Sequence, residues 1–216
     1  MMVTAADAAA QARVDPQRCP MRITLLRHGK PMITRAPALD VAGFVRFRES
    51  YDAAAIDAAH APPPGSVAAV RESTVIVCSD LPRSIESASL LAPQRTPVID
   101  AAFREVTYPW RPLGRLKMPS MGWMMLFRAM WFVGFSRGSE TRAAASRRAE
   151  VCARRLVGLA ETHGSVALIG HGLTNFLIAA QLRSVDWNGP RVPSRAYWGV
   201  ARYAPGSGAG GRNGVA

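Results

Sequence analysis

Two short motifs in this chain carry residues that can react with phosphorus. Arg27-His28-Gly29 follows the apolar run at residues 23–26, and Gly170-His171-Gly172 follows another at 166–169. A neutral imidazole can act as a nucleophile or carry a proton near neutral pH. An arginine guanidinium is a permanently charged, planar group that fits phosphate oxygens. These residue types indicate a site at which an anion meets a reactive histidine.

A third motif follows the β-branched run at residues 74–78 and reads Ser79-Asp80-Leu81-Pro82-Arg83. We expect Ser79 or Asp80 to cap a helix that has Pro82 in its first turn. Arg83 would then lie near a helix N-terminus, where backbone N–H groups and the helix dipole favour anions. The alternative interpretation of Arg83 is a solvated surface charge.

The elements that must position these residues are short apolar runs that alternate with helical periodicity. This alternation predicts an α/β fold, a three-layer α-β-α sandwich with a mostly parallel central sheet. The carboxyl ends of parallel strands meet at one edge of such a sheet, so we expect the three motifs to converge there. Strands are expected before Arg27 and at 74–78, 97–99, 166–170 and 196–203, and helices at about 40–59, after 82, at 138–162 and after 172, with a turn or linker at 61–65.

The charge of the chain indicates an anionic partner. A formal net charge of +12 over 216 residues suits nucleic acid, an anionic membrane or a phosphorylated small molecule. The sequence has neither zinc-finger spacing nor a Gly/aromatic RNA-binding signature, so we expect no specific nucleic-acid binding. Cys19, Cys78 and Cys152 lie far apart, which is typical of a reducing compartment. No signal-peptide core is apparent near the N-terminus, and a cytoplasmic location is therefore expected.

The sequence divides into one domain with a flexible segment at each end. We predict a leader at residues 1–20, a domain at 21–204 that contains an insert at about 106–137, and a Gly-rich tail at 205–216.

The insert has an unusual composition. Five of the nine methionines and two of the five tryptophans fall within residues 118–135. Because the run is short and has Arg128 at its centre, it is not a membrane span. Three roles remain open for this segment. It could be a helix packed on its own domain, a lid that shapes a pocket for an apolar leaving group, or a surface for homodimerisation or membrane contact.

The order of the motifs resembles the histidine phosphatase superfamily, also called phosphoglycerate mutase-like. The family opens with a strand and Arg-His-Gly, continues with a Ser-rich strand end and a helical arginine, and closes with a strand and His-Gly. A glutamate beyond a middle strand and a Gly-Glu-Ser helix start complete the pattern. The corresponding stretches here are Leu25-Leu26-Arg27-His28-Gly29, Cys78-Ser79-Asp80-Leu81-Pro82-Arg83, Leu168-Ile169-Gly170-His171-Gly172, Phe103-Arg104-Glu105 and Gly138-Ser139-Glu140.

The resemblance implies covalent catalysis without a metal or other cofactor. By the family's motif positions, His28 would attack phosphorus, Arg27, Arg83 and His171 would hold the phosphoryl oxygens, and Glu105 would serve as general acid and base. Glu140 and Asp80 are the alternatives for the acid.

The activity implied is that of a phosphomonoesterase of the histidine acid phosphatase type, acting on a small phosphorylated substrate. Lys30 and Thr34 depart from the family pattern where substrate is selected, which argues against phosphoglycerate. The alternatives are a phosphoglycerate-type mutase and a non-catalytic module that binds phosphate or another anion.

Overall fold

A computed structural model describes residues 21–206 of the chain. The predicted leader at 1–20 and the tail from residue 207 onward lie outside the described residues. The strands are β1 (Arg22–Arg27), β2 (Val75–Cys78), β3 (Val98–Ile99), β4 (Ser165–Gly170), β5 (Trp187–Asn188) and β6 (Val200–Pro205). The helices are α1 (Val41–Ala53), α2 (Pro64–Arg71), α3 (Pro82–Leu91), α4 (Ser120–Phe132), α5 (Arg142–His163) and α6 (Gly172–Ser184), and a short 3₁₀ helix spans Ala101–Phe103.

The strands form one six-stranded sheet in the order β3-β2-β4-β1-β6-β5. The pairs β1–β4, β2–β4 and β2–β3 are parallel, whereas β6 runs antiparallel to β1 and to β5. The prediction of a mostly parallel sheet is confirmed. Because β1, β2 and β4 are parallel neighbours, the residues that follow them emerge at the same edge.

Helices cover both faces of the sheet because its strands are apolar on both sides. Leu25 and Leu168 pack with α5 and α6 on one face, and Leu26 and Ile169 pack with α2 and α3 on the other. Buried parallel strands have this two-sided apolar pattern. The predicted three-layer sandwich is therefore confirmed.

The insert forms a cap outside the three layers. Helix α4 packs on α1, where the Phe44 ring lies beside the stacked rings of Trp123 and Phe127 at centroid distances of 6.3 and 5.2 Å. The Trp123 indole also donates to the carbonyl of Leu39 at 2.7 Å. Among the described helices, none is both long and apolar enough to cross a bilayer.

Several element boundaries differ from the expectations. Helix α1 ends at Ala53 rather than at residue 59, and the stretch expected as a turn or linker leads directly into α2, with Pro64 in its first turn. The capping prediction for α3 was wrong, since its N-cap is Leu81 and no side chain caps it. Strand β6 begins at Val200 and extends through Pro205, one residue beyond the predicted end of the domain.

Candidate active site

The three motifs converge at the carboxyl edge of the sheet, as predicted. The rings of His28 and His171 lie 5.0 Å apart between centroids, and both are buried. A cavity of about 180 Å³ opens beside them. Its walls include all five residues that the sequence singled out as the site, namely Arg27, His28, Arg83, Glu105 and His171.

One ring nitrogen of His28 is held by the backbone of its own motif. Nδ1 lies 2.6 Å from the carbonyl oxygen of Gly29, to which it must donate, so the ring proton is on Nδ1 and Nε2 keeps its lone pair. Burial, followed by the proximity of His171 and Arg83, holds the pKa of His28 well below its usual value. His28 is therefore neutral at neutral pH, as a nucleophile must be.

His171 is neutral for the same reasons and is oriented by a serine. Burial, followed by the positive charges of Arg83 and Arg27, lowers the pKa of His171 well below its usual value. Its Nε2 lies 2.7 Å from the hydroxyl of Ser79, which also accepts from the backbone N–H of Leu81. Because this hydroxyl has no other acceptor among the described residues, we assign its proton to the hydrogen bond with Nε2. Nδ1 of His171 then carries the ring proton, and it has no hydrogen-bond partner in the structure.

Two arginine donors in the site are also buried and have no hydrogen-bond partner within residues 21–206, namely Nε of Arg27 and Nε of Arg83. The rest of the Arg27 guanidinium is placed by a hydrogen bond to the carbonyl of Arg195 and by the ring of Tyr197, 4.3 Å from its central carbon. A buried donor without an acceptor costs free energy. The three donors belong to residues that line one cavity, where a bound anion would offer them acceptors.

Arg83 is held by the C-terminal end of α1. Its guanidinium donates to the carbonyl of Tyr51 at 2.9 Å and to the Asp52 carboxylate at 3.2 Å. Arg83 is buried and Asp52 is partly exposed at the rim of the cavity. The interpretation of Arg83 as a solvated surface charge was therefore wrong.

Glu105 lines the cavity, and backbone N–H groups at the N-terminus of α6 donate to its carboxylate. It accepts from the backbone N–H groups of Leu173, Thr174 and Val106 at 3.1, 3.0 and 2.9 Å. Burial alone would raise the pKa of this carboxyl, but the positive charge of Arg128 and the three backbone donors together lower it. Glu105 is thus ionised at neutral pH in the free site.

Arg128, from the cap, supplies the positive charge that lowers the pKa of Glu105. Its guanidinium donates to the carbonyl of Val106 at 3.0 Å and lies 4.0 Å from the centre of the Tyr108 ring. One of its terminal nitrogens is buried without a partner. Sequence reasoning used Arg128 only to argue against a membrane span, because nothing in the spacing indicates that α4 packs over Glu105.

The alternative acids are engaged elsewhere. Asp80 pairs with Arg104 through both carboxylate oxygens, and Glu140 pairs with Arg148. Neither lines the cavity. The two positions that depart from the family pattern do not line it either, since Lys30 pairs with Asp57 and Thr34 is exposed.

The outer wall of the cavity contains residues that the sequence did not single out as a site. They combine aromatic and apolar surface with positive charge, and they come from α1, from the segment on either side of Glu105 and from α4. These residues are Arg48, Tyr51, Tyr108, Met124 and Arg104.

Comparisons with known proteins show the family of the chain. The family model described as "Histidine phosphatase superfamily (branch 1)" matches residues 64–205, and thus begins after Arg27-His28-Gly29. A search of curated proteins finds no significant sequence match.

Among solved structures, the chain is similar to the product of the open reading frame Rv3214 of Mycobacterium tuberculosis, at 14% identity and a TM-score of 0.54 over 84% of this chain and 89% of that one. It is also similar to a mutant phosphoserine phosphatase of Entamoeba histolytica in complex with phosphoserine, at 12% identity and a TM-score of 0.50 over 84% and 89%. A phosphoglycerate mutase of Bacillus anthracis aligns at 16% identity with a TM-score of 0.49 over 79% and 84%. With the family model matching most of its length, the chain belongs to the histidine phosphatase superfamily, branch 1.

Proposed function

We propose that this protein hydrolyses phosphomonoesters through a phosphohistidine on His28, without a metal ion. The observation that carries the proposal is the set of unpartnered buried donors around the cavity, namely Nε of Arg27, Nε of Arg83 and Nδ1 of His171. A single PO₃ group presents enough acceptor oxygens to satisfy all of them. The guanidinium groups supply the positive charge that phosphoryl transfer needs as charge spreads over those oxygens.

In the first step, Nε2 of His28 attacks phosphorus and the bond to the leaving oxygen breaks. The leaving alkoxide takes a proton from the Glu105 carboxyl, and Nδ1 of His28 keeps its proton on the Gly29 carbonyl. In the second step, water attacks phosphorus, Glu105 accepts its proton, and the P–N bond breaks to return the electron pair to Nε2. Each step leaves the enzyme ready for the next.

The ionised state of Glu105 has a consequence for the substrate. The carboxylate of the free site suits the second step, whereas the first step needs the protonated form. A phosphomonoester has a second pKa of about 6, so a monoanionic substrate brings the required proton with it. A dianionic substrate raises the pKa of Glu105 by charge repulsion and leads to the same state.

The leaving group we propose is small and partly apolar. Tyr51, Tyr108 and Met124 form an apolar wall, and Arg48 and Arg104 add positive charge beside it. The enclosed volume of about 180 Å³ is smaller than the several hundred Å³ of a drug-sized ligand site. We therefore expect the phosphoryl group and a few adjoining atoms to be enclosed, with the remainder at the open rim.

The test is phosphate release from a panel of phosphomonoesters in the presence of a chelator, for wild type, His28→Ala and the control His60→Ala. His60 is exposed and lies outside the cavity. We expect release by the wild type and the control and none by His28→Ala. Interconversion of phosphoglycerates without net release would instead show a mutase. Phosphate binding without turnover of any ester would show an anion-binding module.

A further inference from the structure

The outward face of α4 is apolar along its length. Met121, Met125 and Phe132 are exposed, with Met125 at 72%, and Val133 directly after the helix is 85% exposed. Exposed Ala129 completes the row, and residues spaced by three and four positions share one side of a helix. The opposite side is buried against the domain through Trp123, Phe127 and Trp131. An ordinary surface helix would have polar residues outward.

Cations flank both ends of this row, and carboxylates are missing around it in the sequence. Between Glu105 and Glu140 the charged residues are all basic. Arg115 and Lys117 are exposed just before α4 and flank the exposed Leu116. At the other end, Arg142 donates to the carbonyl of Phe132 at 2.6 Å, which places its charge beside the apolar row. We name this surface the cap face, formed by Arg115–Lys117, the outward row of α4 with Val133, and Arg142.

We propose that the cap face docks on the surface of an anionic lipid bilayer. An exposed apolar helix row enters the boundary between headgroups and acyl chains, while flanking arginines and lysines stay among the anionic headgroups. The formal net charge of +12 attracts the whole molecule to such a surface.

Charge complementarity selects this occupant over a second copy of the chain. A symmetric dimer through the cap face would bring the same basic residues of both copies together, without carboxylates to pair with them. An anionic bilayer satisfies the apolar row and the cations at once. The inner side of α4 reaches the cavity through Met124, so docking would hold the active site beside the membrane.

Flotation with lipid vesicles tests the proposal on the full-length protein. One set of vesicles contains phosphatidylcholine alone, and the other contains phosphatidylcholine with phosphatidylglycerol. The variant is Met125→Glu with Val133→Glu, and the matched control is Val185→Glu with Val192→Glu, which adds the same charge at exposed valines outside the cap face. Thermal midpoints of the free proteins establish that all three fold.

We expect the wild type and the control to bind phosphatidylglycerol vesicles, and the cap variant to bind them at least about tenfold more weakly, because it loses apolar insertion and gains repulsion. Binding should fall as salt screens the headgroups. Absence of wild-type binding, or equal binding by the cap variant and the control, would overturn the proposal. So would a dimer in sedimentation that the cap variant alone dissociates, because a second copy would then cover the face.

Discussion

Nδ1 of His28 donates to the carbonyl oxygen of Gly29 across 2.6 Å, and this contact decides which nitrogen of the ring can react. The contact joins adjacent residues, so it comes with the Arg27-His28-Gly29 turn itself. The distal His171 is oriented differently, by the Ser79 hydroxyl on the neighbouring strand end. The two histidines therefore have separate tasks, with attack by Nε2 of His28 and donation by Nδ1 of His171 in the function we propose.

Replacing Glu105 by glutamine should slow esters with poor leaving groups most. The amide oxygen can still accept from the backbone of α6, but the side chain can no longer donate or take up a catalytic proton. We expect turnover of an alkyl phosphate to fall by about a hundred- to ten-thousand-fold, and turnover of a nitrophenyl phosphate to fall much less in the first step, because that leaving group needs no proton.

The controls are Glu140→Gln and Asp80→Asn, whose carboxylates pair with Arg148 and Arg104 outside the cavity. Steady-state rates for both esters should stay close to wild type in these two variants. A uniform loss with both esters in Glu105→Gln, together with a leaving-group effect in either control, would assign the acid elsewhere.

Replacing Arg128 by methionine should raise the pKa of Glu105. The substitution removes the positive charge that offsets burial of the carboxyl, while a side chain of similar length keeps the packing of α4. The folded-state pKa is lowered in the wild type, so the ionised carboxyl contributes stability above its unfolded pKa of about 4.3, and this contribution disappears as the pH falls through the folded-state value. The stability difference between wild type and variant should therefore be full at neutral pH and shrink in acid.

Chemical denaturation at several pH values measures this difference, with Arg154→Gln as a control at an exposed arginine that pairs with Glu150. The acid limb of turnover should also move to higher pH in Arg128→Met. A stability deficit that stays constant with pH would mean that Arg128 acts only by packing.

Replacing Asp52 by asparagine should tighten phosphate binding. The Asp52 carboxylate lies 3.2 Å from a terminal nitrogen of Arg83 and repels an anion that approaches the same guanidinium. Because Asp52 is partly exposed, we expect the inhibition constant of inorganic phosphate to fall by roughly three- to tenfold. The full Coulomb energy of a buried charge pair would give a much larger change.

Asp57→Asn is the matched control, since Asp57 pairs with Lys30 outside the cavity. The measurement is the inhibition constant of inorganic phosphate for wild type, Asp52→Asn and Asp57→Asn. Weaker phosphate binding by Asp52→Asn would show that the carboxylate serves mainly to position Arg83.

Replacing Gly29 by alanine should destabilise the protein. A Cβ at this position would lie 2.3 Å from the Trp198 ring. That ring has little freedom to move, because its indole nitrogen donates to the carbonyl of His60 at 2.9 Å. We expect a loss of about 1–3 kcal/mol in the free energy of unfolding. Gly158→Ala, in an open position of α5, should instead stabilise by about 0.5–1 kcal/mol, and equal effects in the two variants would contradict this explanation.

The convergence of the site could be predicted because it depends on local patterns. Apolar runs end at Arg27 and at Gly170, and parallel strands bring such ends together without knowledge of side-chain packing. Glu105 was harder to place, because the position of its loop depends on contacts with Leu173 and Thr174 from a helix far along the chain.

The parts that sequence reasoning missed arise from tertiary packing. Asp52 contacts Arg83 only because α1 ends against the start of α3. The charge of Arg128 acts on Glu105 only because the cap packs on the loop, where Arg128 donates to the carbonyl of Val106. Serine is a common helix-capping residue, and the sequence pattern cannot show that the Ser79 hydroxyl instead contacts His171. In each case the deciding interaction joins segments that are far apart in the sequence. No periodic pattern in the sequence indicates that these segments lie together in the fold.

The most direct test of the central claim is to trap the covalent intermediate. Wild type, His28→Ala and His60→Ala are each mixed with a phosphomonoester that the wild type hydrolyses. The reactions are quenched in alkali and analysed by peptide mass spectrometry. We expect one phosphate on His28, attached through Nε2 and lost in acid, in the wild type and in His60→Ala. A phosphorylated residue other than His28, or turnover by His28→Ala at the wild-type rate, would contradict the account.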